Sequence, residues 1–254
     1  MTRWLPALML AAGCAQAPAP APPARHSGFD DMSPALQALQ RDDAQNPGLL
    51  SVLEGAALWD QPAGPRGQRC SDCHGEAPRS MRGAATRHPR FDAASGRPVS
   101  LGQRIAACRV RQGLPRPGPE DGDRLALEAY VAHQSRALPI TPDPDPRLAP
   151  WRDRGRVLYG QRLGQLNLAC THCHDGLAGG RLGGSTIPQG HPTGYPVYRL
   201  EWQALGSLQR RLRGCLAGVR AEPFAPDAPE WVELELYLMQ RAAGMPLETP
   251  AVRP

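Results

Sequence analysis

Cys70-Ser71-Asp72-Cys73-His74 and, 100 residues further on, Cys170-Thr171-His172-Cys173-His174 decide how this chain is read. Each is a C-x-x-C-H pentapeptide, the attachment sequence of c-type haem. Two thiols three residues apart reach the two vinyl groups of one porphyrin, and the next side chain then falls under the iron as its imidazole ligand. At this chain's own Cys and His frequencies one such pentapeptide arises by chance in roughly one chain in two hundred, and two far more rarely. A split zinc site or a dithiol redox motif uses the same residue types without needing the adjacent histidine twice. The expectation is two covalently bound haem c groups, held by Cys70, Cys73 and His74 and by Cys170, Cys173 and His174.

Working outward, the flanks repeat as well. Gly55-Ala56-Ala57-Leu58-Trp59 lies 100 residues before Gly155-Arg156-Val157-Leu158-Tyr159. Gln103-Arg104-Ile105-Ala106-Ala107-Cys108 matches Arg210-Arg211-Leu212-Arg213-Gly214-Cys215, and in both halves a tyrosine (Tyr130, Tyr237) follows that cysteine by 22 residues. Residues 126–133 and 230–241 carry helical apolar spacing with good helix formers. Each half thus reads as helix, haem motif, long loop, short helix ending near a cysteine, and final amphipathic helix. The predicted fold is all-α, two tandem class I cytochrome c-like domains with long irregular loops. Its divisions are an export signal at 1–17, an Ala/Pro-rich leader and first helix region at 18–45, a cytochrome c domain with haem 1 at 46–145, and a catalytic cytochrome c domain with haem 2 at 146–254.

Cys108 and Cys215 are the cysteines left in the two repeats. As iron ligands their thiolates would stabilise the ferric state and lower the potential; they could also pair as a disulfide or pack as small core residues. Met81 follows His74 by only seven residues, and the second half has no methionine between His174 and Met239. His88 and His191, each opening a His-Pro pair, are the rival ligands. Arg211 stands four residues before Cys215 and shares its helical face, whereas Arg213 points away. A guanidinium there lowers the thiol pKa and can hold an anion by forked hydrogen bonds. Arg104 repeats the relation to Cys108, and a solvated arginine face is the plainer alternative.

Among 254 residues, aromatics are only 5%, with 29 prolines and 27 glycines, so a large cofactor is expected to supply apolar volume. Net charge is +5, all of the Lys-plus-Arg count being arginine, without a long basic run, which argues against nucleic acid and suits anions or acidic partner surfaces. The N-terminus reads as an export signal: Arg3, the apolar run Trp4 to Ala12, then Gly13-Cys14 or Ala15-Gln16-Ala17 as processing site. Cys14 as a lipid-bearing first residue is the favoured outcome. The expected location is the periplasm, and Ala17 to Ala24 is an extended spacer.

The run Tyr159-Gly160-Gln161-Arg162-Leu163-Gly164-Gln165-Leu166-Asn167-Leu168-Ala169-Cys170, then Gln189-Gly190-His191-Pro192-Thr193-Gly194-Tyr195-Pro196, Tyr198-Arg199-Leu200-Glu201-Trp202-Gln203 and Leu208-Gln209-Arg210-Arg211-Leu212-Arg213-Gly214-Cys215, resembles the SoxA family, most densely over 150–225. The resemblance implies the catalytic cytochrome subunit of an L-cysteine S-thiosulfotransferase of bacterial sulfur oxidation, here in its dihaem form. It implies Cys215 as active-site cysteine, found in the family as a persulfide, and as axial ligand of haem 2, with Arg211 binding substrate and Cys108 the axial ligand of haem 1. It implies thiosulfate as substrate, a SoxYZ-type carrier as sulfur acceptor, a monohaem SoxX-type cytochrome as partner, and an external cytochrome c as electron acceptor. The residues alone support almost as well a dihaem electron carrier without substrate chemistry. A peroxidase, which needs an open iron position, is disfavoured by a cysteine at each sixth position.

Overall fold

The repeat in the sequence is a repeat of structure. The computed structural model describes Met1 and residues 24–226 and 228–254; the export signal, Cys14 and the start of the leader lie outside the described residues. The described chain runs α1 (Pro34–Arg41), α2 (Gly48–Asp60), α3 (Cys70–His74), α4 (Ala77–Ser80), β1 (Arg90–Asp92), β2 (Arg97–Val99), α5 (Leu101–Arg111) and α6 (Gly122–His133). It continues with α7 (Ala149–Gly160), α8 (Cys170–His174), β3 (Arg181–Leu182), β4 (Ser185–Thr186), β5 (Val197–Arg199), β6 (Ala204–Gly206), α9 (Leu208–Gly218), α10 (Pro229–Arg241) and β7 (Ala251–Arg253).

In each half the first long helix crosses the last, α2 on α6 and α7 on α10. Glycine makes the crossings close. A Cβ on Gly55 would stand 2.6 Å from the Ala126 carbonyl carbon, and one on Gly155 2.5 Å from that of Glu233, closer still to the oxygens. Aromatic pairs brace the same crossings, Trp59 with Tyr130 at 5.9 Å and Tyr159 with Tyr237 at 5.2 Å between ring centroids.

The all-α expectation holds for this helical frame and fails between the haem motif and the cysteine helix. There each half inserts an antiparallel hairpin, β1–β2 and β5–β6. The first reverses through Asp92, whose Oδ2 accepts from the Ser95 backbone N–H at 3.0 Å, and through Gly96 in the left-handed region at φ 67°. β7 adds to β5 in parallel, and β3–β4 is a further two-stranded pair. Both hairpins deliver the chain to a serine N-cap. Ser100 Oγ accepts from Gln103 N–H at 3.1 Å and Ser207 Oγ from Arg210 N–H at 3.0 Å. The cap starts α9 at Leu208, directly after β6, which holds Leu205.

The halves share interior. One cluster joins Trp59, Leu101, Leu127, Val131 and Ile140 to Met239, Ala242, Met245 and Leu247. α1 packs on β7, where the buried Gln40 accepts from the Val252 backbone N–H at 3.0 Å.

A cleft of about 960 Å³ lies between the halves, lined by corresponding residues of each, among them Ser100 and Ser207, Leu101 and Leu208, Glu128 and Glu235. Burial pushes the Glu235 carboxyl up to about 8, with the Glu128 charge adding and Arg124 opposing; Glu128 is raised by burial too. A carboxyl raised on folding keeps its proton in the native state after the unfolded chain has lost it, so stability falls as pH climbs toward 8. Between pH 6.5 and 8 the Glu235 carboxyl is expected to remove up to about 1.4 kcal/mol per pH unit, against the opposite slope of the histidines whose pKa burial lowers. The difference in slope between wild type and Glu235→Gln in denaturant unfolding is therefore the readout. Glu235→Gln should remove the Glu235 contribution; an unchanged slope would show that Glu235 is ionised in the native protein.

Candidate functional site

Each C-x-x-C-H segment forms a single helical turn started by its own third side chain. Asp72 Oδ2 accepts from the Arg69 backbone N–H at 2.8 Å, and His172 Nδ1 accepts from that of Ala169 at 3.0 Å. The two variable positions of the motif that looked free in the sequence therefore include one capping residue.

In the second half, α8 and α9 both line a cleft of about 1230 Å³. Cys170 and His174 of α8 and Arg211 and Cys215 of α9 share it, with Leu208, Leu212, Leu234, Leu238 and Val197 among the lining residues. His174 Nδ1 is 2.7 Å from the Pro188 carbonyl oxygen, which orients the ring and leaves Nε2 for a metal. Gly190 presses the loop onto that ring: a Cβ there, at φ 72°, would sit 3.2 Å from His174 Cγ. Burial lowers the His174 pKa, keeping the imidazole neutral and ligand-competent. Burial also pushes the Cys170 thiol up to about 11, and the next cause is the charge of Cys215, which places that thiolate within electrostatic reach. A largely apolar cleft lined by Cys170 and the oriented imidazole of one short helix, whose second thiol is Cys173, and by the sulfur of Cys215, fits covalent haem c. Cys170, Cys173 and His174 would hold it, with Cys215 at the sixth position.

The first half carries the same set. Cys70 packs against the shared core cluster, and burial raises its thiol, opposed by Arg109 and reinforced by Cys108. Arg111 Nη2 donates to Cys108 Sγ at 2.9 Å. The His74 ring lies 5.7 Å from that of Trp59, whose indole N–H donates to the Gly75 carbonyl at 3.0 Å. All six described cysteines are free, and Cys108 and Cys215 stand by the motifs of their own halves and not as a disulfide with each other.

The two rival ligands differ in place. His88 Nδ1 is 2.8 Å from the Ala84 carbonyl, and the ring lines the cleft between the halves; burial brings its pKa down to about 4. Structurally its counterpart is Tyr195, since both precede the first strand of a hairpin, so His88 and His191 are not the equivalent pair that their His-Pro dipeptides suggest. His191 lines the second-half cleft itself, with its Nε2 3.3 Å from Gln189 Oε1. Met81 packs on the shared core. The arginines four residues before each cysteine also part company: Arg104 Nη2 pairs with Asp92 Oδ1 at 2.9 Å, whereas among the described residues Arg211 pairs with no carboxylate. Reading the sequence alone missed Arg199 and Arg253, which line the same cleft from β5 and β7.

Comparison with known proteins agrees with this geometry. The family model for the SoxA/TsdA cytochrome c domain matches residues 54–140. The L-cysteine S-thiosulfotransferase subunit SoxA of Pseudaminobacter salicylatoxidans is 37% identical over 216 residues, covering 84% of this chain and 76% of that protein. The subunit of the same name from Rhodovulum sulfidophilum is 37% identical over 229 residues, covering 89% and 79%. The crystal structure of SoxXA from P. pantotrophus superimposes with a TM-score of 0.87 at 30% identity, covering 91% of this chain and 87% of that one. With paired haem-attachment turns, a facing sulfur in each half and relatives of this similarity, the chain belongs to the SoxA family of c-type cytochromes.

Proposed function

We infer that this protein is the catalytic dihaem cytochrome of an L-cysteine S-thiosulfotransferase, joining thiosulfate to a cysteine of a SoxY-type carrier. The observation that carries the reading is the convergence of Cys215, Arg211, Cys170 and His174 on one cleft. Thiosulfate is a dianion, and Arg211, without a carboxylate partner among the described residues, is suited to hold its sulfonate end by charge-assisted hydrogen bonds. That grip aims the outer sulfur toward Cys215. An S–S bond forms between the Cys215 thiolate and that sulfur as two electrons are removed. When bound, haem supplies one-electron redox chemistry and a route for those electrons to an external cytochrome c. The carrier thiolate then attacks the sulfonate-bearing sulfur, breaking its bond to Cys215. The carrier leaves as a cysteine S-thiosulfonate and the Cys215 thiolate is regenerated. Atoms and charge balance without any further reactant.

The same reading assigns two covalent haem c groups, with Cys108 and Cys215 as sixth ligands. It gives the chain a SoxX-type monohaem partner and a SoxYZ-type carrier. Periplasmic location, with lipid attachment at Cys14, follows from the leader sequence.

The test incubates the mature protein and its small cytochrome partner with thiosulfate, oxidised cytochrome c and a SoxYZ carrier, and follows the carrier mass. Adduct formation matched by two electrons per carrier thiol is expected. Cytochrome c reduction with no adduct would instead assign an electron carrier without substrate chemistry. Pyridine haemochrome is expected to report two haem c groups per chain.

A further inference from the structure

Arg104 and Arg211 occupy the same place in the two halves, four residues before the cysteine on α5 and α9. What faces them is opposite in charge. β1 ends in Asp92, which takes the Arg104 guanidinium at 2.9 Å. β5 ends, at the matching register, in Arg199: Asp92 stands across from Arg97 in one hairpin as Arg199 stands across from Ala204 in the other. The counter-ion of the first half is thus replaced by a second cation in the other.

Arg199 and Arg211 line the cleft that holds Cys215. The Arg199 side chain is 12% exposed, and burial, followed by repulsion from Arg211, lowers its pKa. Its only carboxylate partner among the described residues is Glu201, Nε to Oε1 at 2.9 Å, and that side chain is 52% exposed. The guanidinium also lies 5.1 Å from the Trp202 ring centroid. The third guanidinium of the cleft, Arg253, is already taken by Glu248 at 2.5 Å and by Gln40 at 2.6 Å. A largely buried Arg199 repelled by the partly buried Arg211, with one exposed carboxylate on Arg199 and none on Arg211 among the described residues, sets positive charge in the cleft that an anion, a haem propionate or a substrate, would balance. Such a pair is costly until an anion fills it.

We propose that Arg199 is a second substrate-binding residue, its guanidinium holding the sulfonate group of thiosulfate together with Arg211, and that Asp92 closes the equivalent place in the first half to anions. Forked N–H donors match the geometry of an oxyanion from two directions, and a dianion is better balanced by two guanidiniums than by one. The proposal rests on the thiosulfate reading above. It adds that the charge swap between Asp92 and Arg199 makes one half a substrate site and leaves the other without one.

Arg199→Gln, Arg199→Lys and Arg199→Asp, each confirmed by pyridine haemochrome to carry the wild-type haem content, would be assayed for adduct formation at saturating carrier. Calorimetric titration with thiosulfate, without carrier or acceptor, gives affinity independently of turnover. Arg199→Gln should lower kcat/KM for thiosulfate by about 10–100-fold, mainly through KM, and weaken thiosulfate binding by a similar factor. Arg199→Lys should recover part of both, and Arg199→Asp, which offers Arg211 a carboxylate as Asp92 does for Arg104, should fall below Gln. Arg213→Gln, on an exposed side of α9, should leave both unchanged. A Gln variant whose KM and affinity stay within about twofold of wild type overturns the proposal, as does an equal loss in Lys and Gln. A wild-type protein that neither binds thiosulfate nor forms adduct overturns the underlying reading instead.

Discussion

Replacing Cys215 by alanine is expected to reduce thiosulfate conjugation by at least about 10³-fold while both haem attachments form normally. Attachment depends on α8, where Cys170 and Cys173 present their thiols and the His172 side chain caps the turn. Cys215 sits on a different helix, half-buried. α9 is seated by other residues: the Ser207 cap at its start, Leu212 against the Tyr159–Leu234–Leu238 cluster, and Leu216, buried, in its last turn. Removing one sulfur from that helix costs little packing, on the order of 1 kcal/mol, so the variant should purify with the same haem content per chain. What it loses is the sulfur that must bond to thiosulfate before the carrier arrives. The oxidised protein should also lose one of two low-spin thiolate-type paramagnetic resonance signals. If the variant still builds adduct on the carrier, Cys215 is no relay, and direct oxidation of carrier and thiosulfate would have to replace it.

The parts of the molecule readable from its sequence are those whose chemistry repeats. C-x-x-C-H occurs twice because the attachment geometry demands those residues in that spacing. Gly55 and Gly155 recur because each half has a helix crossing that admits no side chain there. Cys108 and Cys215 were identifiable by position, and the structure sets each by the motif of its own half. The hairpins escaped notice because three-residue strands such as Arg90-Phe91-Asp92 carry too little alternation to be told from loop, and their order depends on what packs around them. The rivalry of His88 and His191 arose from matching dipeptides instead of matching structure. Extending the offset between Cys108 and Cys215 back through the hairpins sets His88 against Tyr195 and Asp92 against Arg199. That second pairing is within reach of the sequence, but its meaning lies in Arg104 holding Asp92 while, among the described residues, Arg211 holds no carboxylate.

The helix crossing that carries the catalytic half admits an equally sharp test. Gly155→Ala places a methyl 2.5 Å from the Glu233 carbonyl carbon and 3.1 Å from Tyr237 Cβ, and the first of these is backbone that no rotamer change can move. α7 and α10 must separate by about an ångström or more, undoing the Tyr159–Tyr237 contact and the packing of Leu234 and Leu238. Overpacking of this kind costs about 1–3 kcal/mol and more where backbone opposes it, which for a chain of this size lowers Tm by roughly 2–12 °C. Gly160→Ala, at the exposed end of the same helix with nothing within 4 Å of the new methyl, supplies the contrast. There the gain in helix propensity and the loss of unfolded-state freedom should stabilise by about 0.4–1 kcal/mol. One substitution type in one helix thus carries opposite signs, set by whether α10 lies opposite. Because Leu234 and Leu238 of α10 also line the cleft containing Cys215, Gly155→Ala should weaken thiosulfate turnover as well as stability. Equal melting temperatures for the two variants would mean that the halves do not close on glycine, and that the repeated Gly-x-x-x-aromatic segments owe their likeness to something other than packing.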